Sequence, residues 1–398
     1  MNCKITYKKI KPVMTFGKMP IANGFISKNN FKKEFFYEMK LGFSEEISLL
    51  QLINHPKPKQ MFNKNYPFFT GSSKFMIAHF KKYSRWIKSK FKKKINNLIE
   101  IGSNDGTFLS NFKNTNINVL GIEPSSNVAK ISKKKGINTL NKFFNLKNIQ
   151  KLKKLNNSVD IICGANVICH IPDLISLIKG VDFLLTKKGM FVFEEPYLGS
   201  MYEKTSYDQI YDEHIYMFSV NSVKKIFGRF GFELIDVLPQ KTHGGSMRYV
   251  IARKKQYKIS KQIKKYLKKE KTKNIDNIKG CIDFKKKCEV SKKELLNKLK
   301  LLKSKGKVIA GYAATSKSTT VLNYCKIGPN LIDFICDTTK NKIGKFSPGM
   351  HVPIKSMNYF YNNLPDVAYL FAWNHRHEIY KKEKKLKKNL KWISHVEI

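Results

Sequence analysis

The sequence predicts an α/β protein: a doubly wound, mostly parallel sheet, with a small domain before it and a smaller α/β unit after it. Three observations predict this. Between residues 96 and 254, apolar strands alternate with glycine turns and helical stretches: NLIEIGSNDGTFLSNF, INVLGIEPSSNVAKISKKKG, VDIICGANVICHIPDLISLIKGV and GMFVFEEPYL. That alternation specifies βα units in a parallel sheet. The same grammar returns after a lysine-rich stretch, in KVIAGYAATSKSTTVLNYC, LIDFICDTT and VAYLFAWN. Finally, 398 residues exceed what one ordinary core fills, so two or three domains are expected.

In chain order, residues 1–80 are punctuated by Pro, Gly and Asn between short apolar pieces and read as a small unit of strands and loops. A long amphipathic helix is expected from Ser73 to about Lys94, with Phe75, Met76, Phe80 and Trp86 at loosely helical spacing. Residues 81–254 hold the central sheet and end near the strand MRYVIAR. Residues 255–305 read as a helical linker with solvated basic faces, because Leu295, Leu296, Leu299 and Leu302 fall on one stripe. Residues 306–398 form the last α/β domain.

Composition narrows the function. The net charge of +47 invites a nucleic-acid partner, but only five of the 76 basic residues are arginine. Nucleic-acid readers favour Arg for bidentate phosphate and base contacts. Lysine spread evenly along the chain reads as compositional bias on wet faces, so no nucleic-acid partner is expected. An RNA-binding or RNA-methylating protein remains the rival that the charge suggests. No apolar run is long enough for a membrane span or a secretory signal, so no membrane partner and a cytoplasmic location are expected. The seven cysteines are scattered, odd in number and without a CxxC pair. They read as small buried hydrophobes.

IEIGSNDGTF places Gly102, Ser103, Asn104, Asp105 and Gly106 at the end of the first strand, preceded by Glu100. Glycines there permit a tight turn and close ligand approach, and the N–H groups that follow favour anions. Roughly 20 residues on, the second strand ends at Glu123-Pro124, where a carboxylate can accept two ribose hydroxyls. The spacing is not the GxGxxG of dinucleotide binders.

Taken together, MPIANGF, YPFFTGSSKFMIAHF, EIGSNDG, NVICHIPDL, EEPYL, YDEHIYMFS, HGGSMR, GYAATSKSTTVLNYC and CDTTKNKIGKFSPGMHVPI span nearly the whole chain. In these the sequence resembles the nucleotide-sugar C-methyltransferases. The resemblance implies a central Rossmann-like class I methyltransferase domain binding S-adenosylmethionine, flanked by a small N-terminal domain and a C-terminal α/β domain that covers the nucleotide. It implies a nucleotide-linked substrate, usually a dTDP-4-keto sugar methylated beside the ketone. The family's first domain usually carries zinc on two CxxC pairs. Here Cys3 is followed by Thr6, and the second pair is replaced by Ser44 and Ile47. One thiolate cannot make a four-ligand site, so zinc is expected to be absent and no metal site is assigned.

Methylating carbon requires a carbanion, and a proton beside a ketone is removable because the charge spreads onto oxygen. The site therefore needs a base and a donor for that oxygen. YDEHIYMFS supplies Tyr211, Glu213 and His214. The resemblance makes His214 the base, with Tyr211 sharing the relay or bonding the keto oxygen, and Glu213 orienting the imidazole or holding a sugar hydroxyl. NVICHIP supplies Asn166, assigned to the cofactor, and His170, a second base or oxyanion donor. Tyr66, Tyr197, His243, Gly244 and Arg248 are assigned to substrate, Arg248 to the sugar or to an active-site carboxylate, because an arginine in a lysine-saturated chain suggests that lysine would not serve. Ser316 and Lys317 lie in a phosphate-cradle-like turn. An O- or N-methyltransferase is the alternative within the same class; a noncatalytic nucleotide-sugar binder is the alternative outside it. The simplest assembly is a monomer.

Overall fold

The computed structural model describes residues 1–91, 94–384, 386 and 390–397. The N-terminal strands β1 (Lys11–Pro20), β2 (Phe36–Ser44) and β3 (Leu49–Leu52) form an antiparallel meander. A two-residue strand from much later in the chain, Tyr216–Met217, completes this sheet by pairing with Leu50 and Gln51. The acid–base segment is thereby tied to the first domain by backbone hydrogen bonds, which no local sequence pattern announced.

The helix Lys74–Lys90 is capped by Ser73, whose side chain accepts the Met76 N–H at 3.3 Å. It buries Met76, Phe80, Tyr83 and Ile87 against Leu98, Phe108, Val192 and Val250 of the central unit. It ends four residues before Lys94, and residues 92 and 93 lie outside the described residues. A boundary at residue 80 would cut through it.

The central sheet has strands β4 (Asn97–Ile101), β5 (Asn118–Ile122), β6 (Thr139–Leu140), β7 (Val159–Ala165) and β8 (Leu185–Pro196). After β9, the Tyr216–Met217 strand already described, come β10 (Phe232–Gln240) and β11 (Ser246–Arg253). The order is β10-β11-β8-β7-β4-β5-β6. The first five strands run parallel, and β10–β11 is an antiparallel hairpin on β8. β4 has β5 on one side and β7 on the other. Open sheets bind ligands beyond the carboxyl ends of strands at such a switch point.

The C-terminal sheet has β12 (Ile309–Tyr312), β13 (Phe334–Asp337), β14 (Ile354–Ser356), β15 (Val367–Leu370) and β16 (Lys391–Ile393), all parallel, in the order β14-β13-β12-β15-β16. Its switch point is β12, followed by Ala313–Thr315 and the helix Ser316–Cys325.

The lysine-rich stretch is more than a linker. Its helix Ile278–Ser304 buries Cys281, Phe284, Cys288, Leu295 and Leu299 in an apolar cluster shared with Phe16 and Leu41 of the first sheet and Val321 and Leu322 of the last domain. Phe16 and Tyr324 rings lie 4.7 Å apart. The first and last units therefore share a core, on which the central domain is mounted. All seven cysteines are free and buried. No helix among the described residues is long and apolar enough to cross a membrane.

Candidate active site

A cavity of about 1010 Å³ opens past the carboxyl end of β4 and is lined by residues from all three units. At its inner end Gly102 has φ +66°, and a Cβ there would lie 2.5 Å from the Val167 side chain, so only glycine fits. Glu123 accepts the Asn104 N–H at 3.0 Å on one oxygen and the Ser125 N–H at 2.7 Å on the other. Each oxygen keeps a lone pair for a ligand. Asn166, with φ +54°, lines the cavity with a buried amide oxygen that has no partner. Pro124, Phe143 and Phe144 add an apolar wall. An unsatisfied amide, a carboxylate at the second strand end and a glycine-only turn fit S-adenosylmethionine.

Not every residue of the cofactor segment faces that space. Glu100, Ser103, Asp105 and Gly106 lie behind the turn. Glu100 is 4% exposed, and burial, then Asp105 and Glu123, raise its carboxyl well above the usual range, so it stays neutral under the sheet. Asp105 accepts the Gly71 N–H at 2.9 Å and pairs with Lys135 at 3.3 Å, while the Asn104 side chain accepts the Thr70 N–H at 2.9 Å. These two side chains fasten segment 68–71 over the cavity.

The acid–base residues come together. His214 Nδ1 lies 2.6 Å from the Gln209 carbonyl, which can only accept, so Nδ1 carries the proton. Nε2 is then the free lone pair, and the Tyr211 hydroxyl donates to it at 2.7 Å. Burial first, then His170, holds His214 well below the usual histidine range. Burial also pushes His170 down to about 3. The His170 and His214 rings stack 5.2 Å apart, Phe62 stacks on His170, and His170 Nε2 has no partner. Cys169, His170 and His214 offer ligand atoms within 4.8 Å of one another, and both His214 nitrogens are already engaged, Nδ1 by Gln209 and Nε2 by Tyr211. Glu213 accepts the Asn23 amide at 2.8 Å, and Tyr66 lines the cavity beside it.

At the outer end, Ser316 and Lys317 line the cavity at the start of their helix. Lys317 is 8% exposed, its ammonium has no hydrogen-bond partner, and it sits 5.0 Å from the Trp373 ring. Among the lining residues that escaped sequence reasoning are Lys342, Asn374 and His375. Lys342 was indistinguishable among so many lysines, and the other two follow a strand, the place where ligand loops occur.

Three residues assigned to substrate do other work. Arg248 is buried in the sheet, bonding Glu194 Oε1 through Nε at 2.7 Å and Nη2 at 2.6 Å, with Tyr83 and Trp86 against its guanidinium. Tyr197 is 3% exposed and donates to Glu270 at 2.9 Å. Gly244, with φ +81°, lets the backbone press against Trp373, where a Cβ would lie 2.1 Å from the ring. Its neighbour His243 does line the cavity, with φ +51° and an unpartnered Nε2. Sequence reasoning also missed Glu195, which gathers the N–H groups of Val167, Ile168 and Cys169 at 3.0, 2.6 and 3.2 Å and so shapes the loop that carries His170.

A Rossmann-like sheet with this turn, this carboxylate and an adjoining acid–base cluster defines a class I methyltransferase that depends on S-adenosylmethionine. Residues 75–237 match the family model of a methyltransferase domain, and residues 241–396 match that of the C-methyltransferase C-terminal domain. The two matches adjoin along the chain, which is similar in both parts to C-methyltransferases. It is 26% identical to the C-methyltransferase NovU of Streptomyces niveus, over 95% of this chain and 90% of that protein. Among solved structures it is similar to a SAM-dependent methyltransferase of Thermotoga maritima (22% identity, 46% of this chain, 92% of that one, TM-score 0.36). It is also similar to the magnesium protoporphyrin IX methyltransferase of Synechocystis (13% identity, 44% and 79%, TM-score 0.34).

Proposed function

We propose that this enzyme methylates the carbon beside the ketone of a nucleotide-linked 4-keto-deoxysugar, with dTDP as the expected carrier, as a cytoplasmic monomer in deoxysugar biosynthesis. The observation that carries this reading is the His214–Tyr211 hydrogen bond with its tautomer fixed by Gln209. It makes a base whose lone pair is reached through a phenol. Tyr211 lines the cavity, so its oxygen meets the substrate. As the substrate C–H proton moves to that oxygen, the Tyr211 proton moves to His214 Nε2, and neither a free phenolate nor a bare carbanion need form. His170, with its unpartnered Nε2, is available to hydrogen-bond the substrate. The bound cofactor supplies the methyl group as an electrophile. Lys317, Ser316 and Lys342 offer positive charge and donors to the phosphates.

The test is hydrogen exchange without the methyl donor. Incubated in deuterium oxide with S-adenosylhomocysteine and a dTDP-4-keto sugar, the enzyme is expected to exchange the hydrogen beside the ketone. An O- or N-methyltransferase would exchange none, and that result would overturn the assignment. The first sheet is proposed to fold without zinc. Gln51 donates to the Cys3 sulfur at 3.3 Å, and Ile47 packs in the same core as Cys3.

A further inference from the structure

Asp212 has no part in the chemistry above, yet it is built into the site. It accepts the Ala22 N–H at 3.1 Å on one oxygen and the Glu213 N–H at 3.1 Å on the other. The Ala22 carbonyl is held in turn by the Thr319 hydroxyl at 2.8 Å, and Asn23 donates to Glu213 Oε1. All three units thus meet at two adjacent buried carboxyls. In a chain with 76 basic residues, no cation among the described residues pairs with either. The titratable groups that face them are Tyr37 from β2, Tyr66, Tyr211 and Cys169, and burial raises all four, so each is neutral at neutral pH. Two desolvated carboxylates without a counter-ion cannot both be charged; they hold one proton between them. Two backbone N–H groups favour the charge on Asp212. Glu213 is met by side-chain groups, the Asn23 amide on Oε1 and the Tyr66 hydroxyl, which can accept as well as donate, so the proton falls to Glu213.

The geometry points to Asp212 as a positioning residue that keeps Glu213 protonated, so that Glu213 meets the substrate as a hydrogen-bond donor to the oxygen where enolate charge collects. This rests on the carbon-methylation reading above. As the C–H bond breaks, its electron pair becomes the C=C bond and the carbonyl π pair moves onto oxygen. The Glu213 O–H strengthens its hydrogen bond there and keeps its proton. When the carbon takes the methyl group the C=O bond re-forms, and Glu213 is unchanged.

Infrared titration of the full chain tests this without substrate, so it can fail separately from the methylation reading. The difference between wild type and Glu213→Gln should contain a protonated-carboxyl C=O band that persists at neutral pH. In Asp212→Asn that band should be lost about one pH unit lower, and the alkaline limb of kcat/KM should move down with it. A general loss of packing would lower kcat/KM without moving the limb. A difference spectrum with no acid band at neutral pH overturns the proposal, and needs only Glu213→Gln to fold. An acid band unmoved by Asp212→Asn also overturns it.

Discussion

Two buried carboxylate sites lie within the same central domain, and they are built in opposite ways. Glu194, on β8, is 1% exposed and held on both oxygens: by Arg248 on one and by His79 at 2.6 Å on the other. Burial alone would raise it, but the hydrogen bonds and charges of His79 and Arg248 reverse that and hold its carboxyl below the usual range. Asp212 and Glu213, on the loop before β9, are also buried and pair with no cation among the described residues; burial raises both. The difference separates scaffold from chemistry. A neutralised anion is locked and silent, whereas an unneutralised pair keeps a mobile proton next to the cavity. The scaffold site also explains the rare arginine. A planar guanidinium can fork onto Glu194 while lying 4.0 Å from the Tyr83 ring and 4.5 Å from Trp86, which a lysine cannot do.

The largest effect is expected on the chemical side. His214→Asn should lower kcat by roughly 10²–10⁴, the usual contribution of a positioned base, while leaving the unfolding midpoint nearly unchanged. Because burial holds His214 well below the ordinary histidine range, the wild-type base stays unprotonated at mildly acid pH. The acid limb of kcat/KM should therefore fall well below the usual imidazole value near 6.5. An acid limb at that ordinary value would remove His214 from the role.

The scaffold side should fail differently. Arg248→Met leaves Glu194 buried without its main partner and should cost about 3–5 kcal/mol in urea unfolding. Adding Glu194→Gln to the same chain should recover much of that loss, because the orphaned charge is gone. If Arg248→Met instead keeps full stability and raises KM, the arginine touches substrate after all.

These two sites also mark how far the sequence could be read. The central fold was legible because each strand is a short apolar run closed by a glycine turn. The cluster of Tyr211, Glu213 and His214 was legible because the three sit within four residues of one another. What joins them to Asn23, Tyr66 and Lys317 is tertiary, and so is the pairing of β9 with β3. Arg248 was misplaced because rarity marks a demand for guanidinium geometry and says nothing of where that demand lies. Tyr197 was misplaced because its partner, Glu270, is 73 residues away.

The pH dependence of stability sharpens the same contrast. A carboxyl whose folded-state pKa is raised binds more protons folded than unfolded, so it erodes stability as pH rises from the ordinary carboxylate range toward its folded value. Asp212 and Glu213 act this way, and so do Glu195 and Glu270, each pushed up to about 7 by burial. Glu194, held low, does the reverse: its contribution is present above the ordinary carboxylate value and is lost as pH falls through its folded value. Removing one raised proton site by Glu213→Gln should make the chain relatively more stable toward neutral pH. The difference in unfolding free energy from wild type should change by up to about 1.4 kcal/mol per pH unit across the range between the two pKa values. Glu195 and Glu270 remain in both proteins and cancel. A flat difference would mean that Glu213 carries no raised proton.

The smallest effect concerns a buried group with neither role. Cys3 is 1% exposed; burial raises its thiol, and hydrogen bonds from Thr6 and Gln51 outweigh that and lower it. Gln51 is fully buried, and it also accepts the Lys4 N–H at 3.0 Å. Gln51→Ala should cost about 1 kcal/mol, the net value of an ordinary buried hydrogen bond, and chelator should leave Tm unchanged. Zinc-binding proteins behave otherwise, because metal-binding free energy is folding free energy and chelators denature them. A Tm that drops with chelator would return a metal to this sheet and would make Cys3 a ligand. A Tm that ignores chelator but falls with Gln51→Ala identifies the buried glutamine as the support for the lone thiol.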